Sequence, residues 1–140
     1  MTIFSTSVPV LYANLSLLIV RLTIGSIMMV HGLPKLNRLT SGGEITFADP
    51  FGLGPIISLG LAVFAEVVCT IFIILGLGTR LASIPLIVTM AVAVFYAHAR
   101  DPFATKEKAI LFLLIFVMLL VFGSGRYSID RLMTKTPVQE

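Results

Sequence analysis

Five ionisable side chains stand inside, or at the ends of, stretches that are otherwise almost pure hydrocarbon. Residues 18–36, LIVRLTIGSIMMVHGLPKL, carry Arg21, His31 and Lys35. Glu66 sits in a second apolar run, and His98 closes a third. Each brings a definite chemistry. A guanidinium can fork two hydrogen bonds onto a carboxylate. Histidine carries a proton near neutral pH or ligates a metal. Glutamate relays protons, and a lysine ammonium donates to carbonyl oxygens. A charge near the middle of a membrane helix costs roughly 2.5–3.5 kcal/mol, so such groups are partnered or functional by default.

The elements that hold them follow from composition. The 140-residue chain is 57% hydrophobic and 12% charged, with a mean hydropathy of +1.04. Soluble domains carry about 25% charged residues, so this balance belongs to a lipid bilayer. Four runs approach the roughly 20 apolar residues a spanning helix needs, at about 11–36, 55–77, 80–99 and 104–122, followed by a polar tail at 123–140. None keeps a polar face, as a soluble helix would. The expectation is an all-α, integral membrane four-helix bundle forming a single domain over 1–140, with both termini on the same side. The leader lacks a cleavable signal's charge pattern, so the first helix is read as retained. Positive charges split evenly, with Lys35, Arg38, Arg100, Lys106 and Lys108 at one face and Arg80, Arg126, Arg131 and Lys135 at the other. Orientation is therefore not fixed by charge. No basic cluster interleaves with aromatics, which excludes nucleic acid as a partner and leaves the bilayer.

Counting from the start of helix one near Leu11 and back from the end of helix two at Gly76 places Arg21 and Glu66 at matching depths of about 15 Å, so the two are expected to pair. Arg21, Gly25, Met28, Gly32 and Lys35 share one helix face, where the glycines permit close approach. Gly76 and Gly78 make the turn between helices two and three, and Gly123 and Gly125 end helix four. His31, Lys35 and His98 gather at the long-loop mouth. Arg100, Asp101, Lys106 and Lys108 read instead as an interfacial belt. Two membrane-edge histidines with no second pair argue against a bis-histidine haem, and two ligands are too few for a metal. Cys69 is alone and cannot form an internal disulfide.

Several short motifs recur in one order: Arg21 and Gly25, then His31-Gly32 with Lys35, then Glu66 before the G-x-G-T-R of residues 76–80. Met90, Ala93 and His98 follow, and G-x-G-R-Y-S-I-D closes the series at 123–130. This pattern resembles the DoxX family over about residues 11–132. The resemblance implies a multi-pass protein of the bacterial inner membrane, related to a membrane subunit of thiosulfate:quinone oxidoreductase. It implies a membrane partner of redox or stress-response systems; self-association is also open, and the buried polar groups suit a small lipid-soluble or anionic ligand such as a quinone. Three functions remain open: a quinone-binding subunit of an oxidoreductase, a channel or transporter for protons or small solutes, and a non-catalytic scaffold. In the first, Arg21, His31, Lys35, Glu66 and His98 are the ligand-binding or proton-relay set.

Overall fold

The computed structural model describes residues 7–134. Lys135, assigned above to one charged face, lies outside them, as do residues 1–6 and the rest of the tail. Among the described residues every regular element is a helix: α1 Val10–Thr40, α2 Pro55–Leu75, α3 Thr79–Ala97, α4 Phe103–Phe122 and the short α5 Ile129–Met133. In hydrocarbon the backbone must satisfy its own polar groups, and the helix does so within one segment. Of these, α1, α2 and α3 are long and apolar enough to cross a membrane. The first two turns of α4 carry Lys106, Glu107 and Lys108, which leaves 14 uncharged residues, 109–122.

The core is a seam of Ile24, Met28, Cys69, Ile73, Leu86 and Phe116, with neighbours from α1 to α4. Many large apolar side chains point outward, Val30 at 68%, Leu81 at 75% and Phe95 at 73% exposure. Water would penalise that surface and lipid accepts it.

Two features set the register of α1 on α2. The hairpin between α2 and α3 turns at Gly76 (φ 70°) and Gly78 (φ 56°), both left-handed. Gly76 N–H donates to Ile73 O at 3.1 Å and Leu77 N–H to Phe72 O at 2.8 Å, the paired bonds of a Schellman stop. Further along, Gly32 lies directly on the Glu66 backbone. A Cβ there would stand 2.7 Å from Glu66 O and 2.9 Å from Val67 Cγ2. At Gly25 a Cβ would meet only the Ile74 side chain.

Two stretches depart from the α register, with π-helical bonding at Phe64–Cys69 in α2 and Ala93–Ala97 at the end of α3. Such bulges insert one extra residue and concentrate at functional sites. The first buries Ala65, Glu66 and Val67 consecutively, where an unbroken α stripe would bury every third or fourth residue.

The loop between α1 and α2 is tied down. Arg38 Nη2 donates to Thr46 O at 2.6 Å and to its hydroxyl at 2.8 Å. Asp49 accepts from Gly54 N at 2.8 Å, Ser58 Oγ at 2.8 Å and Leu53 N at 2.9 Å, closing the start of α2. Those donors, Gly54 N–H first and the Ser58 hydroxyl next, hold the Asp49 carboxyl below the ordinary 3.8. With the folded pKa depressed, the contribution is full above about pH 4 and is lost as pH falls through the folded value. A carbon-detected NMR titration should give an Asp49 midpoint below that of an unstructured aspartate, and Ser58→Ala should raise it.

The helix contacts generate a second expectation. Gly32→Ala forces the α1 and α2 backbones apart and should cost about 1–3 kcal/mol. Gly25→Ala should cost less, because Ile74 can rotate away. Melting temperatures of the two variants in one detergent provide the check.

Candidate functional site

Glu66 is 1% exposed. Its partner is not Arg21. Lys35 Nζ reaches both carboxylate oxygens, at 2.5 and 2.6 Å. The expected Arg21–Glu66 pair is therefore corrected by the register of the helices. Gly32 stands opposite Glu66, Gly25 opposite Ile74, and Arg21 against Gly76. Arg21 is eleven residues before Gly32, which puts it about 16 Å further along the helix. Depth counted from Val10 misleads because α1, with 31 residues, is about 46 Å long and overhangs the α2–α3 turn.

The overhang is filled by the segment after α4. Asn14 Oδ1 accepts from Arg126 N at 2.7 Å, and Arg21 Nη2 donates to the Tyr127 carbonyl. Asp130 bridges both sides of the hairpin. Its N–H donates to Gly76 O at 3.0 Å, and its carboxylate accepts from Gly78 N at 2.7 Å. Asp130 is also the counter-charge acting on Arg21. Arg21 is 1% exposed, and its Nε and Nη1 have no hydrogen-bond partner among the described residues. Arg21 thus belongs to a packed turn-end latch, apart from the other four candidates.

Those four converge. Lys35, His31, Glu66 and His98 line one chamber of about 200 Å³, walled also by Met90 and Phe112. His31 stands edge-on to the Phe112 ring at 5.8 Å. His98 Nδ1 lies 2.6 Å from Asp101 Oδ2, and both side chains are about two-fifths exposed at the rim, 41% and 44%. Asp101 and Lys108, read from the sequence as belt charges, have closer duties. Asp101 orients His98, and Lys108 lines the chamber. The three-residue spacing of His98 and Asp101 was the signal for the first; no sequence signal marked the second. Pro34 lies within α1 without ending it, and it leaves the Val30 carbonyl without its helical donor beside His31.

Three features are now in place: a helical array, a Gly32–Glu66 crossing and a polar chamber lined from all four long helices. The model of the DoxX family matches residues 16–99. The chain belongs to the DoxX family. This DoxX protein is 30% identical over 129 residues to an uncharacterized protein of Haemophilus influenzae, a match covering 85% of the chain and 91% of the relative. It is 29% identical over 130 residues to another uncharacterized protein of that organism, covering 88% and 86%. No solved structure matches it. With membrane-capable helices and family membership together, it is a DoxX membrane protein in contact with the lipid bilayer.

The ion pair in this DoxX chain is lopsided, with the Lys35 side chain 31% exposed and Glu66 at 1%. Lys35→Met strands a buried carboxylate and should cost toward the lower end of about 3–5 kcal/mol. Replacing both, Lys35→Met with Glu66→Leu, leaves no orphan and should restore stability to near that of the unaltered protein. Thermal unfolding in detergent distinguishes the two.

Proposed function

We propose that this DoxX protein is a quinone-binding, redox-linked membrane subunit whose ligand head occupies the Lys35–Glu66 chamber. One observation carries the reading. Four proton-carrying or hydrogen-bonding side chains, His31, Lys35, Glu66 and His98, surround one small chamber in an otherwise apolar assembly. A quinone head needs donors for its carbonyl oxygens and a proton supply on reduction. Lys35 and the histidines supply the donors. Glu66, His31 and His98 supply proton carriers, with the His98–Asp101 pair at the aqueous rim. Electrons would come from a separate redox subunit. The chamber of about 200 Å³ falls below the roughly 300–1,000 Å³ usual for drug-sized ligands, so it holds a compact ring and not a haem.

The same reading makes α4 the fourth span of a bundle in a bacterial inner membrane, with Lys106 snorkelling to extend it and both termini on one side. Arg21 then acts at the other end as a structural group.

Transport is the weaker alternative. Between the chamber and the Arg21 latch lie Ile73, Leu86, Phe116 and Leu119, each 0% exposed. Those side chains are bulky and apolar, and the buried polar residues on the same helices, Thr70, Thr79 and Ser83, carry no charge.

Isothermal titration with a tailless benzoquinone tests the proposal. The unaltered protein should bind. The Lys35→Met/Glu66→Leu variant should stay folded and bind at least tenfold more weakly, since a hydrogen bond to a charged group is worth about 1.5–3 kcal/mol. Absence of binding to the unaltered protein would sink the reading, and binding unchanged in the double variant would move the ligand away from this chamber.

A further inference from the structure

A second cavity touches the first. Between α2 and α3, on the outward side, runs a groove of about 550 Å³. Its walls are Leu61, Ile84, Val88 and Val92, and Phe47 and Phe51 of the α1–α2 loop roof it. At its inner end it is bounded by Lys35, Glu66, Ala93 and His98, which also line the chamber. The apolar channel and the polar pocket therefore share a wall made of the ion pair and a histidine.

The geometry at this junction is unusual in two further respects. The π-helical stretches of α2 and α3 both meet the groove, through Ala65 and Glu66 on one side and Ala93 and Ala97 on the other. Each π stretch displaces the helix by one residue, and the alanines there leave space a larger side chain would fill. The roof is fixed in place by Arg38 on Thr46 and by the Asp49 closure of α2, with Tyr96 Oη also reaching Asp49 O at 3.4 Å. These bonds tie the roof loop to α1, α2 and α3.

Val88, Ile84 and Leu61 are 46%, 47% and 50% exposed, and Phe51 is 61% exposed. On a bilayer-embedded protein these walls open toward acyl chains. A water-soluble solute has no use for such a surface. A compact polar head joined to a hydrocarbon chain fits both spaces at once, the head among Lys35, Glu66 and His98 and the chain along Leu61 and Val88.

We infer that this groove is a lateral doorway from the bilayer and the seat of a hydrocarbon tail. The ligand class is then a single-tailed amphiphile with a compact, carbonyl-bearing head, admitted between α2 and α3 past the Lys35–Glu66 pair. The inference rests on the quinone reading of the chamber and adds to it the source of the ligand and the position of its chain.

The test compares a tailless benzoquinone with its decyl-substituted counterpart by isothermal titration on the detergent-purified protein. The tail leaves a micelle as apolar as the groove, so the gain comes from packing and not from transfer out of water. The decyl compound should bind on the order of tenfold more tightly, well below the gain that removing a whole chain from water would give. Val88→Trp fills the exposed groove wall and should abolish that advantage while leaving the tailless compound's affinity unchanged. Leu61→Trp, on the facing wall, should do the same and guards against a folding defect in the first variant. Equal affinities in the unaltered protein, or a tail advantage that survives both tryptophans, overturn the doorway while the chamber reading stands. An advantage lost on adding phospholipid assigns the groove to ordinary lipid and also overturns it. Failure of both quinones to bind removes the chamber reading, and the doorway with it.

Discussion

A carboxylate held out of water needs its counter-charge at a fixed place, and Glu66 obtains it from Lys35. That requirement sets the relation of α1 to α2. Lys35 lies one turn beyond Gly32, the point where α1 rests on the backbone of Glu66. Sliding α1 by a turn, about 5.4 Å, would move Lys35 off the carboxylate and bring side chains onto the crossing. Ion pair and glycine crossing thus enforce one register between them. Everything at the long-loop mouth inherits it: His31 is carried to the Phe112 edge, and the shared face of α1 is turned toward α2 and α4.

The two ends of the molecule use their buried charges in opposite ways. At the mouth, Lys35 and Glu66 border an open space that reaches both the rim and the outer groove. At the α2–α3 turn, Arg21 is packed so closely on Gly76 that no Cβ fits between them. Its one bonded nitrogen is committed to a backbone carbonyl. An open polar group can exchange partners with a ligand, whereas a packed one can only hold its neighbours in place. Ile73, Leu86, Phe116 and Leu119 belong to the buried core that α1 to α4 share with both ends.

Much of this was legible in residue order. Helical runs announce themselves because hydrocarbon allows the backbone few alternatives, and the shared face of Arg21, Gly25, Met28, Gly32 and Lys35 follows from a period of 3.6 residues. His31, Lys35 and His98 were recognisable as a group because polar side chains are so scarce in those runs, whereas Glu66 was assigned to Arg21. The pairing was misread. Counting depth from the start of the first helix and from the end of the second assumes that both lie at one level, and α1 begins well beyond the turn at Gly76. The decisive clue was Gly32, which marks a crossing and so the height at which Lys35 operates. The π stretches were not legible at all, since one inserted residue in an apolar run changes no hydropathy pattern. Asp101 was concealed differently: an aspartate near a membrane edge looks like any headgroup contact until the histidine three residues earlier is seen to hold it.

The Arg21 latch also imposes an order in time. Its carbonyl acceptor at Tyr127 is 106 residues away. At about 5–20 residues per second the ribosome needs on the order of 5–20 s to supply it. Throughout that interval α1 has been made while its guanidinium lacks the acceptor it finally uses. The nascent chain must shelter that charge elsewhere, in headgroups or in the insertion machinery. The turn end therefore closes only when the segment after α4 emerges.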